Sequence, residues 1–214
     1  MKAKFWSFLS LTMLVTGVVS AQSKTGTASK TSFGLRAGIN FQNLNGKDNE
    51  GNKMDGKLKV GFHAGANAEI PVGIDFYLQP GLLFTTKGAK YDFQGGEATR
   101  TITYLELPVN FLYKPELGDG RVLLGFGPYA ALALGGKIKG GNLDVDMEFG
   151  NEVGKTKAFD AGANFLAGYE FSNRFSFQLN AGLGLINMYN RSSLDSKTTI
   201  KNTGFGLSVG YRFQ

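Results

Sequence analysis

Residues 33–41 read Phe-Gly-Leu-Arg-Ala-Gly-Ile-Asn-Phe. Phe33, Leu35, Ala37, Ile39 and Phe41 share one face of an extended chain, and Gly34, Arg36, Gly38 and Asn40 share the other. That period of two marks a strand. The pattern recurs along the chain. Residues 58–70, 75–84 and 104–113 alternate in the same way, as do 159–170, 175–185 and 204–213. Residues 122–134 are apolar on both faces, but Gly125, Gly127 and Pro128 argue against a helix there. The expectation is eight antiparallel strands.

Alternation alone does not say which face meets water. A soluble sheet buries its apolar face. A membrane barrel turns that face to lipid and its polar face to the lumen. Three features favour the barrel over a soluble lipocalin-like cup. The predicted connections alternate in length: long at 42–56, 86–100, 135–157 and 188–200, short at 71–73, 114–120 and 171–173. Phe33 and Phe41, Phe76 and Phe84, and Phe205 and Phe213 each lie eight residues apart on the apolar face. At ~3.3 Å per residue and a tilt of ~40°, that spacing projects to about 20 Å, close to the height of an apolar band between aromatic girdles. The other face carries charges of both signs: Arg36, Lys59, Glu69, Asp75, Glu106, Asp160, Glu170 and Arg212. Eight strands enclose only enough room for side chains, so these charges are expected to pair and plug the lumen, with Glu106 meeting Arg36 and Arg212. The many glycines on that face leave space for long side chains.

The expected fold is therefore all-β, an eight-stranded antiparallel transmembrane barrel of the outer membrane with a packed polar lumen. It is expected to lie in the outer membrane with both termini periplasmic and the long loops extracellular. Lipid is its first partner, with the barrel insertion machinery during biogenesis.

The N-terminus agrees with export. Lys2 and Lys4 precede an apolar stretch from Phe5 to Val19, and Val19-Ser20-Ala21 offers small residues for cleavage before Gln22. Residues 1–21 read as a cleaved signal peptide, 22–31 as a flexible leader and 32–214 as the barrel domain. Among 214 residues there are 31 Gly, one His and no Cys. Disulfides, thiolate metal sites and two-His metal sites are thereby excluded. The net charge of +6 comes without a basic run interleaved with aromatics, so no nucleic-acid partner is expected.

Four motifs in order carry a resemblance. Tyr104-Leu-Glu-Leu-Pro-Val109, Gly125-Phe-Gly-Pro-Tyr129, Phe159-Asp-Ala-Gly162 with Gly168-Tyr-Glu170, and Leu183-Gly-Leu-Ile-Asn187 resemble the strands of PorT-like outer-membrane β-barrel proteins. The resemblance implies the fold and the location but no single activity, since some members serve protein secretion; an envelope assembly such as a secretion machine is the expected protein partner. Such chains usually end in an aromatic residue, whereas here Gln214 follows Phe213.

No catalytic, cofactor or metal site is expected. Gly150 to Thr156 is one residue short of a phosphate loop and lacks the strand-to-helix context. Asp48, Glu50, Asn52 and Asp55 form an oxygen-rich loop without the calcium-loop spacing. His63 faces the lumen on the side of Glu69, and Ser176 and Ser208 are lumenal by alternation, but nothing in the sequence sets a serine beside the histidine. The preferred function is structural: a barrel that presents loops, 135–157 above all, or docks to an envelope protein. A narrow pore or small-ligand binder is the alternative, and a lipid-modifying hydrolase the third reading.

Overall fold

The structure, a computed structural model, describes residues 30–54, 56–93, 96–141, 143–153, 155–190 and 197–213. The signal peptide and nearly all of the leader lie outside the described residues, as do Asp55 and Gly154. Ten strands form one antiparallel sheet: β1 Ser32–Lys47, β2 Lys59–Gly73, β3 Phe76–Phe93, β4 Gly96–Tyr113, β5 Glu116–Leu117, β6 Gly120–Gly140, β7 Leu143–Asp146, β8 Phe159–Glu170, β9 Phe175–Gly184 and β10 Thr199–Arg212. Eight of them close a ring. β1 to β4 pair in sequence, β4 pairs β6, then β8, β9 and β10 follow, and β10 returns to β1. β5 and β7 are short additions on β6. The segment 122–134, apolar on both faces, lies wholly within strand β6.

The outer wall is apolar. Phe33, Val60, Phe126, Phe177 and Leu179 are each about 60% exposed, as are many neighbours to a lesser degree, so the wall far exceeds the few hundred Å² of contiguous apolar surface that a soluble monomer tolerates. Lipid is the solvent that this wall fits. At the end where the chain enters and leaves the ring, Phe76 stacks on Phe111 and Tyr113, and Tyr211 packs between Phe175 and Phe213. At the other end Phe41 stacks on Phe205, with ring centres 5.2 Å apart, and Phe62 meets Phe84. Phe33 projects outward with no ring neighbour among these pairs.

The connections differ from expectation in one respect. The short turns stand at one end: Ile74–Asp75, 114–119 and 171–174. At the other end, the expected loop 86–100 is largely strand, and the expected loop 135–157 is strand over 135–140 and 143–146. β3 runs to Phe93, β4 begins at Gly96, and β6 runs to Gly140 and pairs with β7. Above the lipid-facing band nothing requires an apolar outer face, so the alternation fades while the ladder continues. Thr99 to Thr103 keeps its strand through β-branched residues.

Candidate functional site: the lumen

The lumen is layered. Nearest the turn end, Glu69 and Glu170 meet Lys114 and Arg212. Lys114 Nζ lies 2.7 Å from Glu69 Oε2 and 3.0 Å from Glu170 Oε2, and Arg212 Nη2 contacts Glu69 Oε1. Gln79 also donates to Glu69. Two anions and two cations from β2, β8, β10 and the residue after β4 thus balance in a buried square. Pairing is what makes buried charge tolerable. A small apolar cluster, Tyr77, Leu112, Leu123 and Leu166, packs next to it.

The middle layer holds His63. Its Nδ1 lies 2.6 Å from Asn40 Oδ1 and its Nε2 2.7 Å from Ser208 Oγ. Because a carbamoyl oxygen only accepts, Nδ1 carries the proton, and Nε2 accepts from the Ser208 hydroxyl. Asn180 Nδ2 in turn donates to Ser208 Oγ, and Asn40 Nδ2 donates to Thr85 Oγ1. The register explains the meeting. Gly38 on β1 is the cross-strand partner of both His63 on β2 and Ser208 on β10. A Cβ at Gly38 would fall 2.7 Å from His63 Cε1 and 2.0 Å from the Leu207 carbonyl oxygen, so only glycine leaves the path between them open.

Above this, Lys87 Nζ lies 2.7 Å from Glu106 Oε2, 3.6 Å from Asp160 Oδ2 and 4.1 Å from the centre of the Tyr129 ring. Tyr129 and Asn202 donate to Asp160. An apolar layer then closes the loop end: Leu44, Ala89, Ile102, Tyr104, Ala131, Ile200 and Met188. Met188 comes from the connection after β9 and is fully buried, with its sulfur accepting from Tyr104 and Asn202. Between the layers remains a polar cavity of about 60 Å³. That is room for a few waters and no larger solute.

The lumenal charges predicted from sequence are therefore sorted into two groups. Glu69, Glu170 and Arg212 meet in the square, and Glu106 and Asp160 meet at Lys87. Four expectations need correction. Glu106 pairs with neither Arg36 nor Arg212, because Lys87 reaches it first and Arg212 sits a whole layer away on Glu69. Arg36 has no carboxylate within 4.0 Å among the described residues, and its Nε has no hydrogen-bond partner. Lys59 turns back to the Val60 carbonyl. Asp75 stands in the tight turn at φ 60°, where its carbonyl accepts from the Lys114 amide, outside the network. Two further lumenal cations, Lys87 and Lys114, continue the lumenal parity of their strands, 77-79-81-83-85-87 and 104-106-108-110-112-114, just beyond the strand ends that the alternation marks at 84 and 113.

His63 and Ser208, with Asn40 behind them, stand in the order of nucleophile, base and orienting group. Sequence gave no reason to place Ser208 there. Glu69, on the same side of its strand as His63, belongs to the charge square. Ser208 and His63 are 3% and 6% exposed, with the charge square toward one end of the lumen and the Met188 layer toward the other. The arrangement acts as a hydrogen-bonded staple across β9, β10, β2, β1 and β3. Lys155, in the segment resembling a phosphate loop, is engaged by Glu152 and Glu148. Asp48 is tied up by the amides of Glu50 and Asn52.

A ring of eight lipid-facing strands around a filled lumen defines a transmembrane β-barrel. The family described as "Outer membrane protein beta-barrel domain" matches residues 20–190, and the chain belongs to it. Its place is therefore the outer membrane. Among solved structures, it is similar to Ail, the attachment invasion locus protein of Yersinia pestis, in complex with the heparin analogue sucrose octasulfate (14% identity, 86% of this chain and 100% of that one, TM-score 0.44). It is also similar to Neisserial surface protein A (13% identity, 86% and 100%, TM-score 0.48). The N-terminal β-barrel domain of Pseudomonas aeruginosa OprF is a third (12% identity, 85% and 97%, TM-score 0.37). No curated protein matches the sequence.

Proposed function

We propose that this barrel is a closed anchor that holds its loop end out to a partner in the cell envelope or at the surface. The observation that carries this reading is the double closure of the lumen, by the Glu69–Lys114–Glu170–Arg212 square at one end and the Met188 layer at the other. A barrel filled in this way conducts nothing. It offers rigid walls and a platform instead. The hairpins β3–β4 and β6–β7 rise from that platform on continuous strands. In this reading the signal peptide 1–21 is removed, the termini and short turns are periplasmic, and the loop end faces outward. The motifs at 104–109, 125–129, 159–170 and 183–187 favour a PorT-like role, as one subunit of an assembly such as a secretion machine.

The test is to tag the loop end, extract outer membranes in mild detergent and identify what co-purifies in near-stoichiometric amount. A defined envelope protein is the expected result. A barrel that always comes down alone, or that carries ions across a planar bilayer, would count against the proposal. A small-ligand reading draws on one observation: Asn110 Oδ1, Asn202 Oδ1 and Arg36 Nε are buried without hydrogen-bond partners among the described residues, and all three residues border the 60 Å³ cavity. Water fits that volume and chemistry.

A further inference from the structure

Several lysines at the loop end are neutralised. Lys57 pairs with Asp92, Lys90 with Glu97, Lys137 and Lys139 with Asp144, and Lys155 with Glu152. Others, Lys157 between β7 and β8 included, have no such partner among the described residues, and four of these lie close together in the fold. Lys47, Lys53, Lys197 and Lys201 have no carboxylate within 4.0 Å among the described residues, and they gather on one sector, where β10 meets β1. Lys47 is the cross-strand partner of Thr199 and bridges Lys53, and Lys201 faces Asn45. Lys197 and Lys201 flank Thr199 two residues to either side, and the Lys197 stem packs against Gly51. Lys47, Lys53 and Lys197 are exposed and Lys201 half-buried. On β1 and β10 the odd-numbered residues point away from the lumen, so Lys47 and Lys201 project outward. Asp48 and Glu50 turn to their own loop, Asp48 accepting from the amides of Glu50 and Asn52 and Glu50 from the Asn52 side chain; Asp55 and Asp195 lie outside the described residues.

Lys201 stands lowest of the four, and Lys47, six residues beyond Phe41 on β1, lies about 15 Å above the aromatic belt at the usual rise and tilt. Lys201 lies four residues beyond Phe205 on β10, and Phe205 stacks on Phe41 in the aromatic belt. At ~3.3 Å per residue and a tilt of ~40°, that is about 10 Å above the belt, at the depth of lipid headgroups. Like charges held together there are favourable only against a counter-anion, and membrane phosphate is the anion present at that depth.

We propose that Lys47, Lys53, Lys197 and Lys201 form a docking site for the headgroup of a multiply phosphorylated lipid in the leaflet at the loop end. The site straddles the β1–β10 pairing, so the lipid would tie the first strand to the last. The proposal rests on the outward placement of the loop end.

The experiment is native mass spectrometry of the detergent-solubilised barrel titrated with diphosphoryl lipid A, monophosphoryl lipid A and inorganic phosphate. The expected result is tighter binding of the diphosphoryl form and no displacement by inorganic phosphate. In the triple variant Lys47→Gln, Lys53→Gln, Lys201→Gln, binding is expected to weaken about ten-fold or more. Lys137→Gln with Lys139→Gln, which removes two paired lysines, should leave it unchanged. Unaltered binding by the triple variant, equal loss in the paired-lysine control, or displacement by inorganic phosphate would each overturn the site. Lys201→Gln alone, expected to weaken binding several-fold, decides the question should the triple variant not fold. Heat-dependent gel mobility of the same samples reports the barrel separately. Loss of that shift in the parent would fault the barrel itself, and equal lipid binding by a folded variant would fault only the site.

Discussion

Lys114 and Glu69 are 45 residues apart in sequence, yet Lys114 Nζ sits 2.7 Å from Glu69 Oε2 with both side chains almost wholly buried. The pair crosses the turn-end mouth of the lumen. Lys114→Met should leave Glu69 with Arg212 and the Gln79 amide, and should cost about 3–5 kcal/mol, the usual loss when one partner of a buried pair is removed. The midpoint of heat-dependent gel mobility would fall accordingly. Adding Glu69→Gln to Lys114→Met should recover part of that loss, since an orphaned charge is worse than none.

The two closures predict how conductance responds to mutation. Met188→Gly opens only the loop end, and Lys114→Ala only the turn end, so each single variant should stay silent in planar bilayers. The combination should show small, flickering events. Conductance from the unmutated chain would refute the closed lumen.

Gly38 predicts a steric limit. A β-carbon there meets both the His63 ring and the Leu207 carbonyl, and the backbone contact has no room to yield. Gly38→Val should prevent ring closure, giving a protein whose gel mobility no longer depends on boiling.

Ser208 predicts an absence of chemistry. A fluorophosphonate probe should not label the folded barrel, and Ser208→Ala should leave lipid composition unchanged in cells. The same variant should lower thermal stability by about 1–3 kcal/mol, the cost of leaving a buried polar group unsatisfied, since His63 Nε2 and Asn180 Nδ2 both lose the Ser208 oxygen. Covalent labelling of Ser208 in the folded state would restore the hydrolase reading.

The β6–β7 hairpin stands clear of the lipid-facing wall and predicts a pH response. A hydrogen bond from Lys139, with the charge of Lys137, holds the Asp144 carboxyl below its ordinary value. A carboxylate shifted down lends stability that is complete above its unfolded pKa and lost as the pH falls through the lowered value. Fraying of β7 should therefore set in only below the ordinary carboxylate range. Nuclear magnetic resonance shifts of the Asp144 to Asp146 amides would follow it. Lys137, raised by Asp146 and Asp144, should hold the hairpin on the alkaline side until the pH passes its raised value.

The strands that cross lipid were legible because lipid imposes a strict alternation, as at Phe33 to Phe41 and Phe205 to Phe213. The strand extensions were not, because Thr99 to Thr103 and Gly135 to Gly140 face water or each other and obey no such rule. The charged residues of the lumen were legible as a set, from parity alone. Their partners depended on height, and height depends on register, which a single sequence does not reveal. Parity leaves Arg36, Arg212 and Lys87 equally open to Glu106, and only register puts Lys87 at its level. Register likewise brings His63 and Ser208 together across Gly38.

The pairing of Ser32–Lys47 with Thr199–Arg212 has a consequence for synthesis. The first strand to emerge waits for the last. A chain interrupted anywhere before residue 199 keeps an open edge, with backbone donors and acceptors that hydrocarbon cannot satisfy. Assembly is therefore a single late event, and partial products should be recognisable to proteases as unsealed. That seam is a built-in proof that translation was finished.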